Sequence, residues 1–588
     1  MSLLCSQREP CARVYSIFGS FTDSLRDSTT VTPTDNAYRN VTQMRNMIRK
    51  NFPLLVVKAT TREDVKETIA FARQYNLQLT VYGTGHDNNG RSTGNDTIQL
   101  NLSLMKDKVV DLNSSRHGNG TISVGPGNTW MEVYREVDKH GRVIVGSSTQ
   151  TVGIGGFTLG GGHSPICRYY GMAIDNLLEV EMVMADGRIV TATNDSVHTI
   201  YNNGSTSNVT DTDFFWAVAG GGGGTFGVAT RFLFKLHTPP EKIIRVVLIY
   251  PIYSLFNENI FAQVFSKMKE LFTEDLPHEW GGFMEIDGLD NLFGAKGHFA
   301  FVLNHLGSKN TASYRYLESL FDFLPKRRYF DSKVFSTFLD YEKGIIEKYP
   351  YYLTFGFNSL ISESNLTTEL RDYLIQSVLE KHTTYSKTTY IATLIGGKMR
   401  EVGTESTSVH PGFRSALFSM SGNVAFGVHG IPEVQEIHEK SVQINFEFAK
   451  FGNGMYPNEA GECTPDWQKN FWGSNYDRLY QIKLREDPDV FFTCDQCVGS
   501  ELRQNESTSS CPIPSTSTST SSSTPSSTPS STSSVSSESQ TTASAFSKVY
   551  PTSTFTPLQT ENSISLSTEV NPQVSVWLFL SLLYFLSM

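Results

Sequence analysis

The chain has 588 residues, a length that exceeds one hydrophobic core and predicts several domains. Its composition of 39% hydrophobic and 12% aromatic residues is ordinary for a globular protein, so most of the chain is expected to pack. The net charge is −10 at pH 7, and the sequence has no long run of lysine or arginine. Nucleic acid is therefore excluded as an expected partner, because phosphate binding needs clustered positive charge.

The first half of the chain predicts short helices and strands in mixed order. Residues 60–76 predict a helix, with threonines as N-cap candidates and Val65, Ile69 and Ala72 on one face. The segments that follow are a strand at 77–83, a strand at 97–103, a helix at 128–141 closed by Gly141, and a hairpin at 181–192 around Asp186 and Gly187. Because strands and helices do not alternate strictly, the predicted fold class is α+β.

The second half has a different character. From about residue 240 to 430, long amphipathic segments with few glycine loops predict a second domain. Residues 470–492 predict one terminal helix, ended by Pro488, that returns to the first domain.

Three glycine-rich segments lie between the predicted elements: GTGHDNNG at 83–90, TVGIGGFTLGGGH at 151–163 and AGGGGGTFG at 219–227. Loops with this many glycines let backbone amides approach the anionic oxygens of a ligand. The P-loop pattern GxxxxGK[ST] is absent. A GxGxxG pattern ends at Gly227, but the residues after it predict a strand, whereas a Rossmann dinucleotide site needs a helix there.

The seven cysteines include one CxxC, at Cys494 and Cys497, without a second such pair. This is weak evidence for zinc, and no metal site is expected. Ten N-x-S/T sequons are consistent with a secreted glycoprotein, although many would arise by chance in this composition.

The two ends of the chain disagree about targeting. The start, MSLLCSQREPC, has no apolar run of the length that a signal peptide needs. Residues 513 to about 570 form a Ser/Thr/Pro tract typical of an O-glycosylated stalk, and residues 574–588 carry no charge. These 15 residues are short for a membrane span of about 20 residues and match the removable tail of a GPI signal.

We therefore expect an extracellular or cell-surface protein that meets the membrane only through a lipid anchor. The alternative is a tail-anchored helix. Because a GPI signal acts only on a chain that has entered the secretory route, we also expect an N-terminal leader that is missing or of an unrecognised kind.

Several motifs together resemble a known family. YGTGHD, TVGIGGFTLGGGHSPICRYYGMAIDN and DFFWAVAGGGGGTFGVAT are similar, in order and spacing, to the FAD-binding domain of the vanillyl-alcohol oxidase/p-cresol methylhydroxylase (PCMH) superfamily. The branch that they resemble most is the berberine-bridge-enzyme-like oxidases, and YPNEAGECTPDWQKNFWGSNYDRLYQIKLREDPDVFF is similar to the terminal region of that branch. The similarity covers roughly residues 35–505.

This resemblance implies a two-part PCMH-type FAD-binding domain and a substrate domain with an antiparallel sheet and helices. The expected divisions are an N-terminal segment at 1–34, the FAD-binding domain at 35–240, the substrate-binding domain at 241–430, a C-terminal berberine-bridge-like segment at 431–505, the stalk at 506–573 and the hydrophobic tail at 574–588.

The resemblance also implies a covalent cofactor. In relatives, the histidine at the position of His86 is bonded to the 8α-methyl carbon of the flavin. The amides of Gly83, Thr84, Gly85 and Asp87 would hold the pyrophosphate. The other expected FAD-binding residues are Thr151, Val152, Gly153, Gly155, Gly156, Gly162, Gly227 and Val228.

The chain departs from its relatives at two flavin positions. Many relatives attach the flavin a second time through a cysteine where this chain has Thr149, and a hydroxyl does not replace a thiolate nucleophile at neutral pH. The second bond is therefore expected to be absent. Phe157 stands where some relatives have histidine near the flavin pyrimidine edge, and phenylalanine donates no hydrogen bond there. Cys167 is expected to be a buried apolar residue.

The expected acid–base residues are His163, Tyr456 and Glu459. Many relatives have a Y-x-N-Y motif whose second tyrosine deprotonates the substrate hydroxyl, and here glutamate stands in that place, as Tyr456-Pro-Asn-Glu459. Buried glutamate can accept a proton, although Glu459 could also cap the next turn, and His163 has a pKa range suited to proton transfer. Which of the three residues is the base stays open.

The resulting prediction is an FAD-dependent oxidase that moves hydride from a saccharide or alcohol-type small molecule to flavin N5 and passes the electrons to O2, giving H2O2. The resemblance places Val152 beside flavin C4a, where O2 approaches; valine there accompanies oxidases. Two alternatives are open. One is an FAD-dependent dehydrogenase or oxidative cyclase of secondary metabolism, and the other is a cell-surface binding protein with altered catalytic residues on the same fold.

Overall fold

The computed structural model describes residues 18–506, except for 20, 24, 26–27, 274, 289–295, 322–323, 326–328, 346–352, 381–385 and 427–433. The chain start, most of the Ser/Thr/Pro stalk at 506–573 and the whole uncharged tail at 574–588 therefore lie outside the described residues.

The first sheet of the described chain has four strands in the order β1–β2–β4–β3. They are β1 (Thr29–Val31), β2 (Leu55–Lys58), β3 (Leu79–Tyr82) and β4 (Ile98–Asn101). Strand β4 runs parallel to β2 and β3, and β1 is antiparallel to β2. Helices α1 (Tyr38–Thr42) and α2 (Arg62–Gln74) belong to this part of the chain.

The second sheet has seven antiparallel strands in the order β10–β9–β8–β7–β11–β6–β5. They are β5 (Lys108–Asp111), β6 (Thr121–Val124), β7 (Leu177–Val183), β8 (Ile189–Ala192), β9 (Ser196–Ile200), β10 (Thr206–Thr210) and β11 (Val228–Lys235). Its helices are α3 (Trp130–Asp138), α4 (Ile154–Leu159), α5 (Cys167–Tyr170) and α6 (Asp213–Val218).

The third sheet is also antiparallel and seven-stranded, in the order β15–β12–β14–β13–β17–β18–β16. Its strands are β12 (Ile243–Pro251), β13 (Trp280–Asp287), β14 (His298–Leu306), β15 (Tyr329–Phe335), β16 (Thr354–Ile361), β17 (Ser386–Leu394) and β18 (Phe418–Phe426). All of them fall inside the range 241–430 predicted for the substrate domain, while the domain boundaries themselves stay predictions.

Eight further α-helices follow β12 in the described chain. They are α7 (Ile260–Phe265), α8 (Met268–Leu271), α9 (Ala312–Phe321), α10 (Phe338–Lys343), α11 (Thr368–Leu379), α12 (Val434–Ala449), α13 (Trp467–Trp472) and α14 (Tyr476–Glu486). Helices α7, α9 and α11 bury their apolar faces in one core with the third sheet, around Trp280 and Tyr390, which are almost fully buried.

The elements predicted in the first half are confirmed. Helix α2 begins after Thr61, whose hydroxyl accepts from the Asp64 amide while the Asp64 carboxylate accepts from the Thr61 amide. Helix α3 begins in the same way at Thr129. Strands β7 and β8 form the predicted hairpin, and Gly187 at its turn has φ +86, a conformation that favours glycine. The α+β class is therefore confirmed.

The single terminal helix predicted at 470–492 is wrong. Two helices, α13 and α14, occupy this region, because Gly473 between them has φ +57 and cannot continue a right-handed helix. The predicted return of this segment to the first half of the chain is confirmed by a contact of α14. Lys483 on α14 is fully buried. Its ammonium donates to the Thr225 carbonyl at 2.6 Å and pairs with Asp487 at 2.6 Å.

Cysteines 494 and 497 form a disulfide, and Cys167 is a buried free thiol, as predicted. Burial raises the pKa of Cys167 to about 12. Within the described ranges, no group of histidine, cysteine and acidic residues could hold a metal ion. No helix in that part of the chain is long and apolar enough to cross a membrane.

Candidate active site

A cavity of about 620 Å³ lies where the three glycine-rich loops meet the third sheet. Its size is within the range of about 300–1,000 Å³ that is usual for small-molecule and cofactor sites. One wall is the loop backbone, from Gly83 to Asp87, Gly153 to Gly156 and Gly221 to Gly224. The opposite wall carries Phe283 and Ile391 of the third sheet. The cavity is therefore bounded by bare backbone on one side and by side chains on the other.

The loop glycines leave space that a side chain would occupy. A Cβ atom added at Gly83, Gly156 or Gly224 would meet no protein atom within 4 Å. Each of these residues lines the cavity, so the missing side chains enlarge it and leave the backbone accessible. Gly85 and Gly224 also have φ values of +80 and +71, which favour glycine. This wall fits an anionic ligand that approaches the main chain closely.

His86 lies on the loop wall with its imidazole largely buried. Its Nε2 is 2.8 Å from the Thr151 hydroxyl of the second glycine loop. Burial, reinforced by the charge of Arg45, lowers the pKa of His86 to about 4. The ring is therefore neutral at pH 7, which is the protonation state that a nucleophilic imidazole needs.

The two departures from the family pattern lie at the same cavity. Thr149 lines it, and the Thr149 amide donates to the Ser147 hydroxyl at 3.1 Å. Phe157 lines it as well, and its ring packs edge-on against Trp130 with a centroid separation of 5.3 Å. Phe157 thus has a packing role that a polar residue would not fill.

Most of the predicted site residues line the cavity: Gly83, Thr84, Gly85, His86, Asp87, Val152, Gly153, Gly155, Gly156, His163, Gly227, Tyr456 and Glu459. Three do not. Thr151 contacts His86, the Gly162 amide donates to the Tyr456 hydroxyl at 3.1 Å, and Val228 is fully buried at the start of β11. The structure thus brings the predicted residues together, while their individual roles stay predictions.

His163, Tyr456 and Glu459 form one cluster, which we call the acid–base cluster. Nε2 of His163 lies 3.1 Å from Oε1 of Glu459, close enough for an ion pair although not aligned as a hydrogen bond. The rings of His163 and Tyr456 are 4.8 Å apart. The His163 side chain is 7% exposed, and within the described chain its two ring nitrogens make no hydrogen bond. A buried histidine in this state can bond to a ligand in the cavity.

Within the cluster, Tyr456 keeps its proton at neutral pH whereas Glu459 has lost its proton. Burial, together with the charge of Glu459, raises the pKa of Tyr456 well above its usual range, so the phenol keeps its proton. The Tyr456 hydroxyl oxygen accepts from the Gly162 amide and from Asn458 at 3.0 Å. For Glu459, burial alone would raise the pKa, but His163 and the Ser421 hydroxyl outweigh it and hold the pKa below the usual value. Glu459 is therefore a carboxylate at neutral pH.

Two residues that the sequence did not suggest hold this cluster in place. Asn358 on β16 donates to Oε2 of Glu459 at 3.4 Å and accepts from the Tyr456 amide at 2.7 Å. Ser421 on β18 donates to the same Glu459 oxygen. Both strands carry other polar residues as well, so no local signal in the sequence distinguishes these two side chains.

Comparisons with known proteins agree with this geometry. Residues 53–193 match the family model described as "FAD binding domain", and residues 444–499 match the one described as "Berberine and berberine like". "FAD-linked oxidoreductase ZEB1" of Gibberella zeae is 29% identical over 470 residues, which cover 77% of each chain. The chain is an FAD-linked oxidoreductase that is similar to VAO-type and berberine-bridge-enzyme-like proteins.

Two solved structures share the fold of this oxidoreductase. The VAO-type flavoprotein MtVAO615 from Myceliophthora thermophila C1 has 24% identity and a TM-score of 0.65, over 77% of this chain and 80% of that one. The glucooligosaccharide oxidase of Acremonium strictum has 18% identity and a TM-score of 0.68, over 82% and 98%. The predicted two-part flavoprotein architecture is thereby confirmed.

FAD is the cofactor that the matched FAD-binding domain assigns to this oxidoreductase, and the cavity fits it. The bare glycine wall suits the pyrophosphate, with Gly83, Gly156 and Gly224 facing the open space.

Proposed function

We propose that this oxidoreductase is an oxidase that takes hydride from the carbinol carbon of a small alcohol-type or saccharide substrate and reduces O2 to H2O2. FAD, when bound, supplies the hydride acceptor. The observation that carries the proposal is the contact between Glu459 and His163 at the cavity wall, where a carboxylate held below its usual pKa faces a buried imidazole.

The acid–base cluster can take the hydroxyl proton of an alcohol. Glu459 is deprotonated at neutral pH, and its Oε2 is oriented by Ser421 and Asn358. Its position on the cavity wall allows it to accept the proton directly or through His163. Tyr456 keeps its own proton, so the phenol can orient the substrate oxygen but is not the base in the neutral range.

The named relatives support the choice of an alcohol oxidase. "VAO-type flavoprotein oxidase VAO615" of Thermothelomyces thermophilus is 27% identical over 472 residues, and one structural neighbour is named as an oligosaccharide oxidase. Hydroxyl groups are the oxidisable groups that saccharides and simple alcohols share. A base beside the flavin wall fits either of them.

A screen of alcohols and saccharides against the holoenzyme tests this proposal. Anaerobic bleaching of the flavin band followed by O2 consumption and H2O2 release is the expected result. Bleaching with artificial acceptors but slow reaction with O2 would instead indicate a dehydrogenase. If FAD is bound and no compound bleaches it, a binding protein on the same fold becomes the better interpretation.

We further propose a single covalent flavin bond through His86. The neutral imidazole lines the cavity, and Thr149 offers no thiolate for a second bond. Denatured wild-type protein is expected to stay yellow, while His86→Ala releases its FAD on acid precipitation. Thr149→Ala is the matched control and is expected to keep the colour. Complete loss of flavin from denatured wild-type protein would contradict the assignment.

The localisation is also a proposal, based on the stalk and the uncharged tail. We expect phosphatidylinositol-specific phospholipase C to release the protein from intact cells, because the 15 uncharged residues at 574–588 would have been replaced by a lipid anchor. Mass spectrometry of the C-terminal peptides provides the control. Retention after treatment, with the tail peptide detected, would indicate a tail anchor.

A further inference from the structure

The third-sheet wall of the cavity carries a buried positive charge. Arg245 on β12 is 2% exposed and lines the same cavity as the acid–base cluster. Its guanidinium lies 5.4 Å from the centre of the Phe335 ring. Burial lowers the pKa of Arg245 below its usual value, and Tyr341 and Asp331 oppose that change. The cavity wall therefore includes a cation in a position where charge is costly.

The register of the sheet connects this cation to Glu459 along one face. Arg245 pairs with Asn304, and Val302 lies two residues farther along β14, so it points to the same face. Val302 pairs with Phe283 on β13, and Phe283 pairs with Thr393 on β17. The face that begins at Arg245 thus continues across three more strands.

The same face ends at the acid–base cluster. Ile391, two residues from Thr393, pairs with Ser421 on β18, and Ser421 donates to Glu459. Four strand spacings of about 4.8 Å separate β12 from β18. The two steps of two residues, on β14 and β17, run in the same direction and add an offset of about 13 Å along the strands, so the two ends of this face are roughly 23 Å apart. The proton acceptor and the guanidinium therefore occupy opposite ends of one continuous wall.

The middle of this wall is apolar. Val302, Phe283 and Ile391 all line the cavity. The exposed fraction of Ile391 is 40%. Asn304 on this path does not line the cavity, and Thr393 is the polar side chain between the two charged ends that does. A neutral oligosaccharide would leave most of its hydroxyl groups facing apolar side chains here, which costs hydrogen bonds. A chain or ring system without hydroxyl groups would bury this surface favourably.

We propose that the substrate is an alcohol with an apolar body and an anionic far end, and that Arg245 binds that anion. The inference rests on the proposed function, because it assumes that the reacting hydroxyl meets Glu459. A guanidinium offers several N–H donors in one plane and matches a carboxylate better than any other side chain does. The substrate class is then a hydroxy acid with its hydroxyl and its acid group at opposite ends.

Two probes without a hydroxyl group test Arg245 independently of turnover. Dodecanoate and dodecanamide differ only in charge at the head group, and their binding to the holoenzyme is measured by perturbation of the flavin spectrum and by thermal shift. We expect dodecanoate to bind wild-type protein about tenfold tighter or more, as is typical of a charge-assisted pair. Arg245→Met is expected to abolish this preference.

Lys333→Met is the matched control. Lys333 pairs with Arg245 across β12 and β15 but does not line the cavity, so its loss is expected to keep the preference for dodecanoate. If Arg245→Met does not fold, Arg245→Gln decides by the same measurement. Equal binding of the two probes to wild-type protein, or a preference that survives the loss of Arg245, overturns the proposal.

The same measurements separate this inference from the proposed function. An enzyme that oxidises alcohols but binds the two probes equally has the proposed activity without the anion site. A protein that prefers dodecanoate through Arg245 but oxidises no alcohol has the anion site without the proposed activity.

Discussion

Glu459→Gln is expected to slow anaerobic flavin reduction by roughly 10²- to 10⁴-fold, the usual contribution of a positioned general base. The substitution keeps the shape of the side chain and an oxygen that can accept from Ser421, so the fold should survive. What is lost is the carboxylate that faces His163 and the cavity. Stopped-flow absorbance at the flavin band measures the rate.

Glu462→Gln is the matched control for this variant. Glu462 lies three residues farther along the same loop and pairs with Arg49 at 2.6 Å, but it does not line the cavity. Its loss is expected to change the reduction rate little. A Glu459→Gln enzyme that reduces its flavin at the wild-type rate would show that the proton goes elsewhere.

The pH dependence of the same step follows from the charge state of Glu459. Since His163 and Ser421 outweigh burial and hold its pKa below 4.5, the carboxylate persists through the neutral range and the rate should fall only below pH 4.5. In His163→Gln, burial would no longer be opposed by the imidazole, so the acidic limb should move to higher pH. An unchanged acidic limb would separate Glu459 from the rate-controlling proton transfer.

Val152→Leu is expected to slow reoxidation of the reduced holoenzyme by O2 strongly while leaving reduction by substrate almost unchanged. The family resemblance places this residue at the point of oxygen access, and the structure places it on the cavity wall, half-buried just before α4. One extra methylene in a packed wall can fill the space that a diatomic molecule needs.

Separate stopped-flow traces of the two half-reactions test this expectation. Val152→Ala is the comparison variant, because it enlarges the same space and should reoxidise at least as fast as wild type. Equal reoxidation rates for the leucine, alanine and wild-type proteins would exclude Val152 as a gate. Slow reoxidation of the wild type itself would favour a dehydrogenase.

Local features of the fold were readable from the sequence because their causes are local. Thr61 and Thr129 cap helices whose first turns carry the matching acidic residues, and Gly187 marks a hairpin by the backbone conformation that it permits. The glycine loops and His86 could be predicted to share one site because they are short motifs in a fixed order, and they line the same cavity. The prediction of one helix at 470–492 failed at Gly473, whose left-handed backbone the helical periodicity around it did not reveal.

By itself, the sequence predicted the α+β class, the glycine-rich loops as the site of FAD and a set of acid–base candidates. The tertiary structure alone decided how those candidates are held and what faces them. Asn358 and Ser421 reach Glu459 from strands β16 and β18, and Arg245 shares their sheet face through pairings across strands. Register between strands distant in sequence depends on packing of the whole sheet, so no local pattern encodes these contacts.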